Sequence, residues 1–424
     1  MMRIDRRRFL HLGLGAAATG ALAGAVGPAV LRSSSQGRPS RPPARFSRQP
    51  GPRPAPPSQR ALVVVEMAGG NDGLSMVVPY ADPAYPRLRP HSALGPSSLI
   101  VVDEHFGLHP QLANVAARGP AIIAGVGLAR PDLSHFEMQR RWWSADPDGT
   151  LNPDTGFLGR LCDVIGDPSA PAVGISLGGG PTPALNANSA VTLSLDASAG
   201  PSFPQPGGGG QLDRAWLAGQ RAMAHPDRLD APLLARARTG SRLAVGFGDL
   251  ASGLKAASGG YPDSDTAAQL KLAARLIDSD LGVRIVHVPL TGDFDTHTGL
   301  GSRYPKLMSE LDAALGAFLT DLDNRGLAGR VLVATTSEFG RRVADNDGGG
   351  ADHGAASFAL MLGPVVAGVH GDRPRLDRLD DNGNLAATVA MVDYYAGLAR
   401  WLGVSPSDVL AGSPSALPGL LVAE

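Results

Sequence analysis

The sequence predicts an α/β protein with a mainly parallel central sheet and helices on both faces. Its 424 residues, 43% of them hydrophobic, are enough to bury a large core. Short apolar runs have the length and composition of strands that are covered on both faces, and helical patterns lie between them. Such alternation is typical of parallel sheets. The predicted strands are 61–67, 121–126, 172–177, 283–290, 331–336 and 357–362, and the predicted helices are about 109–118, 135–144, 211–223, 265–280, 303–324 and 386–403.

The N-terminal segment, residues 1–30, predicts export of a folded protein by the twin-arginine pathway. Arg6-Arg7-Arg8 and the apolar pair Phe9-Leu10 match the twin-arginine pattern, and the following run to position 30 carries no charge. A transmembrane anchor is the alternative, but the Gly/Ala content of the run favours a cleaved signal. We therefore expect a periplasmic or extracellular protein with the translocation machinery as a partner and no stable membrane insertion after cleavage.

Composition changes sharply after the signal. Residues 31–60 contain seven arginines, eight prolines and no acids, which predicts a disordered linker. The remainder, 61–424, is predicted to be one domain, and it carries 27 basic and 38 acidic residues, a net charge of −11. That charge argues against nucleic-acid binding, which depends on neutralising phosphates. The single cysteine, Cys162, excludes an intrachain disulfide, and its apolar surroundings indicate a core residue rather than a nucleophile.

Residues that can bind metal or attack a substrate follow several of the predicted strands. Ligand sites of parallel sheets lie beyond the carboxyl ends of the strands, so these side chains are expected to meet at one edge. Carboxylates and imidazoles arranged in this way are typical of metal-dependent hydrolases. The candidates, in chain order, are Asp72, Ser134, Asp293, Asp295, His297, Glu338, Arg341 and His353.

Two of these candidates have an equally simple structural interpretation. Asp72 lies in a Gly/Asn/Asp-rich stretch that favours tight turns, and the sequence does not decide between a turn residue and a metal ligand. Ser134, with Glu137 three residues later, matches a helix capping box. A nucleophile at a helix N-terminus has the same pattern, because the helix dipole stabilises an anionic group there. From the residues alone, the cap is favoured.

The other candidates differ in the strength of their patterns. Asp295 and His297 are alternate residues of an extended segment, so both side chains point the same way and one metal can bind both. Asp352 and His353 follow a glycine-rich turn, where His353 is the preferred ligand. Glu338 at a strand end is interpreted as a ligand, with a salt bridge as the alternative.

Basic side chains beside these candidates have less specific patterns. Arg341 and Arg342 can hold an anion bidentately or form a surface pair. His105, His109 and His135 have no spacing that indicates a site, and we interpret them as structural.

The motifs, taken together and in order, resemble a large uncharacterised family of twin-arginine-exported bacterial proteins that is grouped with the alkaline-phosphatase and sulfatase superfamily. The resemblance covers about residues 60–404. It implies an alkaline-phosphatase-like fold with two divalent metals, usually zinc or manganese and in sulfatases one calcium, around a Ser, Thr or modified Cys nucleophile. The motifs are Gly69-Gly70-Asn71-Asp72-Gly73-Leu74, Val78-Pro79-Tyr80, Phe106-Gly107-Leu108-His109-Pro110, Ser134-His135-Phe136, Asp295-Thr296-His297, Ser337-Glu338-Phe339-Gly340-Arg341 and Asp352-His353-Gly354.

The same resemblance implies roles for individual residues. By position, Ser134 matches the nucleophile and Asp72 the first-strand carboxylate of one metal, while Glu338 stands where an Asp-His pair is expected. The other metal takes the second set of ligands, namely Asp295, His297 and His353.

Two departures from the superfamily pattern concern the metal ligands. Phe339 occupies the position of a histidine that binds the second metal, which makes that site degenerate. Asp293 restores the usual longer spacing to His297, and we keep it as an alternate ligand.

The resemblance implies an exported metal-dependent hydrolase that acts on small phosphate or sulfate esters, with Ser134 attacking phosphorus or sulfur and Arg341 neutralising charge. The alternative is a non-catalytic exported binding or assembly protein that retains the fold. Phe339 and the cap-like pattern at Ser134 favour the alternative.

Overall fold

The computed structural model describes residues 44–148, 154–167, 170, 172–197, 241, 260–279, 281–290 and 292–423. The predicted signal segment, the first part of the predicted linker and the predicted helix 211–223 lie outside these residues. Within the described ranges, no helix is both long and apolar enough to span a bilayer.

The second half of the predicted linker differs from the expectation of disorder. Residues 44–60 are irregular apart from one 3-10 turn at Pro57–Gln59, and the compact unit begins at Ala44. The backbone N–H of Gly51 donates to the carbonyl of Val365 at 3.0 Å, and that of Ala55 donates to Gly329 at 2.7 Å. Proline-rich chain is already extended, so bonding it to the surface costs less entropy than a flexible chain would lose.

The central sheet confirms the predicted fold class. Among the described residues nine strands form it, namely β1 (Ala61–Glu66), β5 (Ala121–Gly127), β6 (Gly174–Ser176), β7 (Thr192–Ser194), β8 (Ile285–Pro289), β9 (Val331–Thr336), β10 (Ser357–Leu362), β11 (Gly368–His370) and β12 (Val389–Ala390). Their order is β11-β5-β10-β9-β1-β8-β6-β7 with β12 beside β5, and all pairings are parallel except the two made by β10. The short strands β2 (Val77–Val78), β3 (Ile100–Val101) and β4 (Gly107–Leu108) form a small antiparallel sheet.

Helices cover both faces of the sheet. One apolar core lies between the sheet and helices that include α3 (Ala113–Ala117), α6 (Asp265–Ile277) and α7 (Leu300–Asn324). A second core lies between the sheet and the helices α4 (His135–Ser144), α5 (Phe157–Ile165) and α8 (Met391–Trp401). Successive residues of a strand alternate between these two cores, as the pleat requires, so the strands of the sheet centre are mostly apolar on both faces. The described helices are α1 (Gly73–Met76), α2 (Tyr85–Leu88), α3 (Ala113–Ala117), α4 (His135–Ser144), α5 (Phe157–Ile165), α6 (Asp265–Ile277), α7 (Leu300–Asn324) and α8 (Met391–Trp401).

The strand directions bring distant segments to one edge of the sheet. Strands β1, β8 and β9 are parallel neighbours, and β5 shares their direction because both β5 and β9 are antiparallel to β10. The segments that follow these four strands therefore meet at the carboxyl edge. The segment before β10 joins them, since β10 begins where its neighbours end.

Candidate metal centre

Three side chains from three of these segments form a cluster that can hold a metal ion. His135 begins α4, Asp295 follows β8 and His353 precedes β10, and their ligand atoms lie within 4.8 Å of one another. Nε2 of His135 is 3.6 Å from Oδ2 of Asp295, and Nε2 of His353 is 3.7 Å from Oδ1. Ligands about 2 Å from a tetrahedral ion are separated by roughly 3.5 Å. The two nitrogens and the carboxylate therefore suit one divalent cation.

His135, which we interpreted as structural because no spacing indicated a site, lies in the cluster and is held for ligation by Glu338. Its Nδ1 is 2.9 Å from Oε1 of Glu338, whose side chain is only 1% exposed. The same carboxylate oxygen accepts the backbone N–H of Gly69 at 2.8 Å. A carboxylate that receives one ring N–H of a histidine leaves the other nitrogen free for a metal. Glu338, predicted as a ligand, thus lies behind His135 and outside the cluster of three.

His353 is oriented in a comparable way by the main chain. Its Nδ1 donates to the carbonyl of Leu133 at 2.7 Å, and its Nε2 is buried with no hydrogen-bond partner among the described residues. Burial lowers the pKa of His353, and the charge of Arg341 acts in the same direction, while the bond to Leu133 opposes them. A neutral imidazole with a free, buried nitrogen is the form that binds metal.

Asp295 is held as an anion by Arg341. The guanidinium Nη2 donates to Oδ1 of Asp295 at 2.5 Å. Partial burial raises the pKa of Asp295, but the hydrogen bond and charge of Arg341, with His297 and His135 nearby, lower it below its usual value. The loop after β1, which we call the first-strand loop, approaches the backbone of Asp295 closely. This approach requires glycine at position 69, because a Cβ on Gly69 would lie 2.5 Å from the backbone nitrogen of Asp295.

Arg341 itself is fully buried, and its N–H groups are taken by the protein. Besides Asp295, it donates to the carbonyl of Gly70 at 2.8 Å, of Ala351 at 3.0 Å and of Gly69. A guanidinium that ties four segments together has no free donor pair for a substrate anion. The geometry therefore favours a positioning role for this arginine.

His297 and Phe339 form the wall beside the cluster. Nδ1 of His297 is 2.5 Å from Oδ1 of Asp295, and its ring lies 4.6 Å from the ring of His353. The Phe339 ring packs 4.6 Å from His353 and 4.9 Å from His135. The structure therefore brings His297 to the edge of the cluster, while Phe339 fills the space behind the two imidazoles.

Ser134 takes the N-cap position of α4 but does not act as the cap that its sequence pattern favours. Its side chain makes no capping hydrogen bond. Glu137, the other half of the predicted capping box, is bonded to Arg140 and Arg141 instead. The hydroxyl at this helix N-terminus, one residue before His135, is thus available for another role.

Asp72 lies apart from the cluster, in a buried ion pair with Arg89. Both of its oxygens accept guanidinium N–H groups, at 2.5 and 2.9 Å, and both side chains are fully buried. Arg89 also donates to the carbonyl of Val343 at 2.9 Å, which ties the first-strand loop to the loop after β9. These contacts give Asp72 a structural partner in place of the predicted metal.

We expect Asp72→Ala to lower the free energy of unfolding by about 3–5 kcal/mol, because it leaves the Arg89 charge buried and unpaired. Urea denaturation measures this loss. Asp323→Ala is the matched control, since Asp323 pairs with Arg118 at a site where both side chains are at least 33% exposed, and it should cost no more than about 1 kcal/mol. Equal effects of the two variants would contradict the prediction.

Asp293, the alternate ligand of the longer spacing, faces away from the cluster. It is 66% exposed and pairs with Arg303 at 3.1 Å. Its Oδ1 accepts the backbone N–H of Asp295 at 2.9 Å. Asp293 thus shapes the turn that presents Asp295.

His109 is buried, in agreement with its structural interpretation. Its ring packs edge-on against Tyr304 at 5.8 Å, and burial lowers its pKa to about 4. Since the folded pKa is below the unfolded value of about 6.5, the unfolded chain binds a proton first as the pH falls, and stability is lost between pH 6.5 and 4.

We expect the contribution of His109 to reduce the free energy of unfolding by roughly 2 kcal/mol between pH 7 and about pH 5. Urea denaturation of wild type and His109→Asn at both pH values isolates the contribution of His109 to the free energy of unfolding, because the other titrating groups are common to the two proteins. A pH dependence that His109→Asn leaves unchanged would show that this histidine does not remain neutral.

A second group of polar side chains, joined by hydrogen bonds, lies near the same edge of the sheet, and the sequence did not indicate it. His287 on β8 contacts Oε2 of Glu66 at 2.7 Å and Oγ of Ser176 at 3.1 Å, and Glu66 also accepts the indole N–H of Trp143 at 2.9 Å. All but Trp143 are buried. Glu66, His287 and Ser176 lie on neighbouring strands within apolar runs. Their pairing therefore depends on the order and register of the strands.

Comparison with known proteins gives a family-model match to part of the chain and distant similarity to solved structures. A family model described as "Protein of unknown function (DUF1501)" matches residues 245–393. No curated protein matches significantly.

Solved structures with similar folds include a sulfatase from Pseudoalteromonas sp., at 12% identity and a TM-score of 0.38, covering 84% of this chain and 73% of that chain. The zinc complex of the C-terminal periplasmic domain of EcEptC from Escherichia coli is 11% identical with a TM-score of 0.40, and the match covers 90% of this chain and 96% of that chain. A protein in the alkaline phosphatase superfamily from Vibrio parahaemolyticus is 9% identical with a TM-score of 0.40, and the match covers 85% of this chain and 71% of that chain. Similarity at this level assigns no role to any residue of the present chain.

Proposed function

We propose that this protein is an exported metal-dependent hydrolase of phosphate or sulfate esters. The observation that carries the proposal is the cluster of His135, Asp295 and His353, with an uncapped serine hydroxyl one residue before the first ligand. The cluster side chains are 23–35% exposed, so a small anionic ester can reach them.

The cluster fits zinc or manganese better than calcium. Two imidazoles and one carboxylate are common ligands of the former metals, whereas calcium takes oxygen ligands almost exclusively. Three protein ligands leave a coordination position open, as in catalytic sites. When bound, a divalent cation would neutralise an ester oxygen and polarise the reacting centre. This cluster is the only such group of three in the part of the chain that the structure describes, and Phe339 lies where the superfamily pattern has a second-metal ligand.

In this proposal Ser134 is the nucleophile. Its oxygen forms a bond to phosphorus or sulfur as the bond to the ester's alcohol oxygen breaks, and the serine proton ends on the departing alcohol. Water then releases phosphate or sulfate and restores the hydroxyl. The N-terminus of α4 favours the anionic group at this position.

Other residues of the site keep this arrangement in place. Arg341 holds Asp295 ionised and aimed at the cluster. Glu338 orients the imidazole of His135 through its contact with Nδ1. His297, 41% exposed beside Asp295, is available as a further ligand or as a contact for the ester anion. Export by the twin-arginine pathway, in which the chain folds and takes up metal before translocation, completes the proposal and rests on residues 1–30.

The alternative of a non-catalytic exported binding or assembly protein, which Phe339 already favours, gains further support from the engagement of Arg341. A buried arginine whose N–H donors are all used has none left to bind a substrate anion directly. In that case the cluster would bind a cation without turnover.

Metal analysis and an ester assay on the same preparation test the proposal. The full chain is folded in the cytoplasm, purified without chelator, analysed for divalent metals, and assayed with aryl phosphates and aryl sulfates. We expect about one zinc or manganese per chain and turnover that a chelator abolishes. Bound metal without turnover would favour the alternative, and a metal-free, inactive protein would overturn the proposed hydrolase and leave the non-catalytic protein.

A further inference from the structure

His353 can serve a cation at the cluster only through one of its two nitrogens. A carbonyl oxygen accepts and cannot donate, so the 2.7 Å contact with Leu133 places the ring proton of a neutral His353 on Nδ1. The unpartnered Nε2 then carries the lone pair and faces Asp295 at 3.7 Å. The carbonyl of Leu133 thereby selects the tautomer.

The backbone of Leu133 is unusual. Its φ is +66°, and Ala145 at +50° is the only other non-glycine residue with positive φ among the described residues. L-residues other than Asn and Asp rarely adopt this left-handed conformation. The side chain belongs to neither apolar core, so core packing does not explain why the conformation is kept.

The same turn begins the helix that carries the other parts of the site. Asp132 Oδ1 accepts the backbone N–H of Ser134 at 3.2 Å, and the turn leads directly into His135 and α4. A change of φ at Leu133 would rotate its carbonyl away from His353 and would alter the entry of the chain into Ser134.

We propose that Leu133 is a positioning residue, whose left-handed backbone aims its carbonyl at Nδ1 of His353 and so reserves Nε2 for a divalent cation. The cation part of this inference rests on the proposed function. The choice of tautomer does not, because it is a property of the metal-free protein.

Substitutions that change only the backbone preference test this role. Glycine adopts the left-handed conformation freely and a β-branched residue resists it, so Leu133→Gly and Leu133→Val should differ. We expect the glycine variant to keep the affinity for zinc and the valine variant to lose about tenfold to a hundredfold, the usual loss when a residue that orients a metal ligand is changed. Chelator competition with zinc on the full chain gives the affinities.

The second readout is the ring nitrogen NMR signals of His353 in the metal-free protein, assigned with His353→Gln. Wild type and Leu133→Gly should show the Nδ1–H tautomer, and Leu133→Val a mixture. Leu417→Val is the matched control, since it makes the same change at a half-buried loop residue without positive φ, and it should leave both readouts unchanged.

The outcomes separate the inference from the proposed function. A Leu133→Val protein with wild-type tautomer and zinc affinity overturns the inference, as does a Leu133→Gly protein that is as impaired as Leu133→Val. A wild-type protein that binds neither zinc nor manganese overturns the proposed function, and the ring signals of the metal-free variants then decide on Leu133 alone.

Discussion

Ser134→Ala is expected to abolish ester hydrolysis while leaving the protein as stable as wild type. Removing the attacking oxygen of a covalent mechanism lowers turnover by at least about a thousandfold. The free energy of unfolding should change by less than about 0.5 kcal/mol, because the Ser134 side chain makes no capping hydrogen bond. Rates with an aryl phosphate or sulfate and urea denaturation of the same variant give the two quantities.

The chain offers a matched control at another N-cap. Ser264 is the N-cap residue of α6, and its Oγ accepts the backbone N–H of Ala267 at 3.2 Å. Ser264→Ala should therefore cost about 1 kcal/mol of stability and leave turnover unchanged. If Ser134→Ala instead behaves like Ser264→Ala, with lost stability and full activity, Ser134 is a cap and not the nucleophile.

Asp295→Asn is expected to remove the bound metal. The substitution keeps the size of the side chain but takes away the negative charge that two imidazoles alone cannot replace. We expect the affinity for zinc to fall by more than about a hundredfold. Changing a residue that only orients a ligand already lowers metal affinity by about tenfold to a hundredfold. Metal content after dialysis, measured beside the circular dichroism spectrum, separates metal loss from unfolding.

Asp293→Asn decides which of the two neighbouring acids is the ligand. Asp293 is 66% exposed and pairs with Arg303, whereas Asp295 faces both imidazoles of the cluster. We expect Asp293→Asn to retain its metal. The opposite pair of results, with metal kept in Asp295→Asn and lost in Asp293→Asn, would show that the longer spacing to His297 forms the site.

The strands and several helices were predictable because their signals are local. The predicted strands 331–336 and 357–362 and the predicted helix 135–144 agree with β9, β10 and α4 to the residue. Apolar runs bounded by glycine and polar residues encode strand position within the run itself. Boundaries changed where another segment intervened, as at the predicted helix 386–403, whose first residues pair with β5 as β12.

The local pattern at Ser134 was informative about position and misleading about chemistry. The sequence placed a helix N-terminus there, and α4 begins at the next residue. Glu137, the expected partner of the cap, has two arginines within reach on the next turn. Charge-assisted bonds to these arginines are stronger than a bond to a backbone N–H, so the capping box does not form.

The sequence alone determined the fold class, the edge of the sheet where chemistry is possible and the segments that reach it. Only the tertiary structure decided which side chains meet there: His135 enters the cluster, Glu338 stands behind it and Asp72 pairs with Arg89. The reason is physical. The periods of strands and helices are determined by neighbouring residues, whereas the partner of a buried polar group depends on contacts between segments that are far apart in the sequence. The separation is 203 residues for His135 with Glu338 and 220 residues for His353 with Leu133.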